Sequence, residues 1–77
     1  MNKTRRKKIE EVISKLEEIR DEIEEISRDE MGAFDALPES LQDGERGQQI
    51  YENADDIEYQ SSMVDDIISE LQDIIER

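Results

Sequence analysis

Ile50–Ile75, IYENADDIEYQSSMVDDIISELQDII, decides the fold. Ile50, Ala54, Ile57, Ser61, Val64, Ile68, Leu71 and Ile75 recur with alternating steps of four and three. That spacing lays one narrow seam along a helix and needs a second helix to cover it. From Gln48 to Glu76 there are nine acids and no lysine or arginine. The spacing therefore predicts a long helix, apolar on one side and anionic on the other.

A matching seam lies upstream. Ile9, Val12, Leu16, Ile19, Ile23 and Ile26 also step by three and four, and on this reading Ile13 and Phe34 fall just beside them. The first helix is predicted over about residues 3–36. It passes Gly32, because the pattern continues through Ala33 and Leu37, and it stops at Pro38, which disfavours a helical Leu37. Pairs such as Glu11/Lys15, Glu17/Arg20 and Glu24/Arg28 support the helix by only ~0.2–0.5 kcal/mol each. The bend is predicted at 37–44. It holds a short turn of helix with proline at its first position and a plug of Phe34, Leu37 and Leu41. Asp43 is the expected N-cap of a second helix over about 45–76.

Two long helices joined by a short connector are antiparallel neighbours. The expected fold is all-α: one domain, a long antiparallel two-helix coiled-coil hairpin ~45–50 Å long. Self-association would turn it into a four-helix bundle. The fold-back brings Lys3, Arg5, Arg6, Lys7 and Lys8 near Asp73 and Glu76, and pairing there is expected to fix the alignment.

Composition narrows the function. The chain has 77 residues, net charge −13, no cysteine and no histidine. A core of this size is marginal without a partner, metal or disulfide. Thiolate chemistry and disulfides are absent, and so is the commonest neutral-pH acid–base group. Gly44-Glu45-Arg46-Gly47 has neither the spacing nor the lysine of a phosphate loop. Asp55-Asp56 and Asp65-Asp66 sit in helix, where adjacent side chains diverge, and lack the alternating oxygens and central glycine of a calcium loop. No catalytic residue, cofactor or metal is expected. No apolar run approaches the ~20 residues of a membrane span. The basic start leads into Glu10-Glu11, unlike a secretory signal. Such a charge repels nucleic acid and anionic membrane directly and favours a basic protein surface.

Two surfaces are left over once the seam is assigned. One is an acidic row on the second helix: Glu52, Asp55, Asp56, Asp65, Asp66, Glu70 and Asp73. Its carboxylates at helical neighbour positions are ~5–6 Å apart at Cβ, comparable in scale with the phosphates along a DNA strand. The plain alternative is a solvated helix face. The other surface is an off-seam apolar strip of Tyr59, Met63, Ile67 and Ile74, suited to a homodimer or a protein partner. Here the plain alternative is that these residues merely flank the intramolecular seam.

The opening Met1-Asn2-Lys3-Thr4-Arg5-Arg6-Lys7-Lys8-Ile9, the middle Ala33-Phe34-Asp35-Ala36-Leu37-Pro38-Glu39-Ser40-Leu41-Gln42, then Glu45-Arg46-Gly47, and the acidic tail resemble small acidic proteins of phages and prophages of Gram-positive bacteria. In that pattern a polar helix former stands at the position of Gly32, which supports continuing the first helix. The group has no established catalytic residues to carry over. The resemblance implies a cytoplasmic protein of the host bacterium. It also implies a class that includes inhibitors of host defence and nucleic-acid enzymes, some of them DNA mimics. The expected function is an acidic protein-binding module that occupies a basic surface of a host protein. The alternative is a structural coiled coil whose role is assembly.

Overall fold

A computed structural model describes all 77 residues. Three helices follow in order: α1 (Lys3–Asp35), α2 (Glu39–Gln42) and α3 (Glu45–Glu76). α1 and α3 pack as an antiparallel hairpin, closed by α2, with extents of 59 × 15 × 12 Å. The bend and the chain ends lengthen it beyond the helices alone.

Local chemistry sets the ends. Asn2 is extended, and its side-chain oxygen accepts a hydrogen bond from the Arg5 amide at 2.8 Å. That satisfies one of the donors left open at a helix start. α1 runs through Gly32, as expected. At its end the Gln42 side-chain amide donates to the carbonyls of Phe34 (3.4 Å) and Leu37 (3.2 Å), so α2 caps the helix it follows. Asp43 does not cap α3. It ends α2 in a helical conformation, whereas an N-cap must be extended, and Gly44 (φ −78°, ψ 178°) takes that place. Pro38 likewise precedes α2, extended, rather than opening it. Leu41 is exposed and leaves the plug to Phe34 and Leu37. The Phe34 ring instead meets Tyr51 edge to face at 5.6 Å.

The seam of α3 is as the periodicity predicts: all eight positions from Ile50 to Ile75 are buried or half-buried. The seam of α1 is not. Ile9, Leu16 and Ile23 face α3, but their companions are Ile13, Arg20, Ser27 and Phe34. Val12, Ile19 and Ile26 are 45%, 46% and 55% exposed. The register is the same in every heptad. Ile13, Arg20, Ser27 and Phe34 face α3, while Val12, Ile19 and Ile26, each one residue before a seam position, lie about 100° round the helix and remain outside the seam.

Packing at the centre is close because the facing residues are small. Ala54 and Ser61 are nearly inaccessible. The Ser27 hydroxyl donates to the Ala54 carbonyl at 2.7 Å, which satisfies a polar group that would otherwise cost free energy to bury. Only six residues are fully buried, and three of them are apolar: Ile13, Ala54 and Ile68.

The expected ion pairs between Lys3–Lys8 and Asp73 or Glu76 do not form, nor do the pairs of Glu11, Glu17 and Glu24 with their downstream bases. Exposed pairs gain little in water and must hold two long side chains still. One of those cations, Arg6, is half-buried with its Nε shielded and unpaired. The pair that crosses the hairpin is Arg20–Asp65, at 2.8 Å.

Candidate protein-binding surfaces

The hairpin has two flanks, and position in the heptad assigns residues to them. In α3, Tyr51, Glu58 and Asp65 each follow a seam residue, whereas Asn53, Gln60 and Ile67 each precede one. In α1, Glu24 and Met31 follow seam residues, whereas Val12, Ile19 and Ile26 precede them. In an antiparallel pair the followers of both helices share one flank and the preceders share the other. Contacts agree. Glu24, Met31 and Glu58 line one shallow groove with Ser27 and Arg28. Arg20 reaches Asp65 and Phe34 reaches Tyr51 on that same side. On the opposite side the Asn53 amide donates to Glu30 at 3.3 Å.

The follower flank is polar. Its fixed point is Arg20, which donates from Nη1 to Asp65 and from Nε (3.2 Å) and Nη2 (3.1 Å) to Asp21. Hydrogen bonds to Asp65 first, and Asp21 second, hold its pKa above the ordinary arginine value. Asp65 is therefore a structural partner, committed to the hairpin.

The preceder flank carries five exposed apolar side chains beside the polar Asn53 and Gln60. α1 contributes Val12, Ile19 and Ile26, and α3 contributes Ile67 (48% exposed) with Met63 (43%) one turn away. The expected strip of four is thus divided. Met63 and Ile67 are free. Ile74 is half-buried at the open end of the hairpin. Tyr59 stands on the outward back of α3, where it lines a shallow hollow with Asp55, Glu58 and Ser62. The three α1 residues were assigned to the seam by periodicity alone, and only the choice between two neighbouring stripes could have revealed them.

Of the acidic row, Glu52, Asp55, Asp56, Asp66, Glu70 and Asp73 lie within one outward arc of α3 at about 100° per residue. Asp65 lies outside it and points toward Arg20. All seven are exposed, and Asp65 alone among them is ion-paired. No group of three or more His, Cys, Asp or Glu side chains is placed to hold a metal ion. No helix is long and apolar enough to cross a membrane.

No family model, curated protein or solved structure matches this chain.

Proposed function

We propose that this chain is an acidic protein-binding module that occupies a basic, nucleic-acid-binding surface of a host protein, in the manner of a DNA mimic. The observation that carries the reading is the outward arc of α3. Glu52, Asp56, Asp66, Glu70 and Asp73 present carboxylates with no cation within ion-pair distance, held in line by a helix 32 residues long. An unneutralised row of that kind attracts a surface built for phosphates. The resemblance to small acidic phage proteins supports a host defence or nucleic-acid enzyme as the partner, and the cytoplasm of a bacterium as the location.

The test is capture from a bacterial lysate, followed by affinity measurement against salt. The captured partner should bind nucleic acid, the affinity should fall steeply as salt rises, and nucleic acid should compete. Reversing Glu52, Asp56, Asp66 and Asp73 to lysine should abolish binding. Asp65 is left intact because it is already paired with Arg20. A partner whose affinity is indifferent to salt and to those reversals sinks the proposal.

A second reading is favoured by the apolar flank: an assembly element that works by helix–helix association.

A further inference from the structure

We infer that the apolar flank is covered by a second copy of this chain, packed antiparallel to give a four-helix bundle. The inference rests on the assembly reading and is independent of the acidic one.

The surface area calls for a partner. The hairpin exposes 5983 Å², whereas a globular monomer of 9.0 kDa exposes roughly 4,900 Å². A face 59 Å long and 15 Å wide is the size of one side of a standard interface, ~800 Å² per partner. Single exposed apolar residues are ordinary, but Val12, Ile19, Ile26, Met63 and Ile67 are all exposed on one flank, and apolar side chains gathered on one face mark an association site.

Symmetry selects the occupant and its direction. In α1 the strip is centred on Ile19, with Val12 and Ile26 seven residues to either side. A two-fold axis crossing the flank at that level lays α1 antiparallel on α1 of the second copy, so that Ile19 meets Ile19 and Val12 meets Ile26. An isologous contact must be self-complementary in this way. The charges beside the strip follow the same axis. Lys15 comes within one residue, about 1.5 Å, of the level of Glu22 of the second copy, and Lys8 likewise of Asp29 of the second copy, each pair twice over.

The whole molecule is polarised in the same sense. Residues 1–15 and 70–77, at the open end, hold seven cations and five acids. Residues 16–69 hold three cations and eighteen acids. Antiparallel stacking sets each open end against an acidic bend. A parallel dimer would set like ends against like; it would offer Lys15 the Glu70 of the second copy in place of Glu22, so Glu22→Lys separates the two arrangements.

The experiment is sedimentation of the full chain over a micromolar concentration series, with helicity followed by circular dichroism. The wild type should be a dimer, and Ile19→Glu should be monomeric. Because that change could also unfold the chain, a charge swap on the exposed rim completes the test. Lys15→Glu and Glu22→Lys should each weaken the dimer about tenfold, since each reverses two symmetric pairs. The double variant should recover wild-type affinity. A wild-type monomer at every concentration overturns both the inference and the assembly reading. A dimer indifferent to Ile19→Glu overturns the flank as the interface. A dimer whose double variant fails to recover overturns the antiparallel arrangement and leaves the assembly reading standing.

Discussion

α1 and α3 are almost equal in length, yet they use their apolar residues differently. Every seam position of α3 from Ile50 to Ile75 carries an apolar or small side chain, and every one is at least half-buried. α1 puts Arg20, Ser27 and Glu30 into its seam while leaving Val12, Ile19 and Ile26 outside. The difference follows from what each sequence offers. α3 has one continuous stripe. α1 has two overlapping stripes that share Ile9, Leu16 and Ile23, and only one of them can face α3. The stripe that loses becomes surface.

That contrast can be broken most sharply in α3, at two adjacent isoleucines. Ile68→Ala should destabilise the hairpin by about 2–5 kcal/mol, the range for a buried large-to-small change. Ile67→Ala, one residue earlier and exposed, should change the unfolding of the monomer by less than about 1 kcal/mol. Urea denaturation of both at low concentration reads the difference. Equal effects would mean that α3 is rotated from the arrangement described.

The glycines of the two helices give the next contrast. A Cβ on Gly47 would collide with the backbone of Gln42 at the bend, whereas one on Gly32 would meet nothing within 4 Å. Gly47→Ala should therefore cost about 1–3 kcal/mol, as overpacking does. Gly32→Ala should instead stabilise by up to about 1 kcal/mol, because α1 is regular there and alanine is the better helix former. Thermal unfolding of the two variants should move in opposite directions.

The same features explain how far the sequence could be read. The α3 seam was legible because the periodicity was single and unbroken. The end of the first helix and the start of the second were legible from Pro38 and the Asp43-Gly44 turn. The α1 seam was not, because Val12/Ile13 and Ile26/Ser27 put rival candidates side by side, and a serine looks like surface until its partner carbonyl is known. The bend misled for a similar reason. Asp43 has the side chain of an N-cap, but its backbone is used to finish α2, and only the three-dimensional path shows that Gln42 caps α1 instead. At the candidate surfaces, Glu52, Asp56, Asp66 and Asp73 were legible as an outward row. The tie between Asp65 and Arg20 was not, since it joins residues 45 positions apart.

The chain contains no cysteine, so a single introduced thiol reports its own exposure without interference. The most direct test of the account is the rate of thiol labelling in two adjacent variants, I26C and S27C, at dilutions where the chain is monomeric. I26C should label nearly as fast as an unstructured peptide. S27C should be slower by about 100-fold or more, because labelling there waits on opening of the packed seam. The reverse order, with position 26 protected and position 27 open, would restore Ile26 to the seam and contradict the account at its centre.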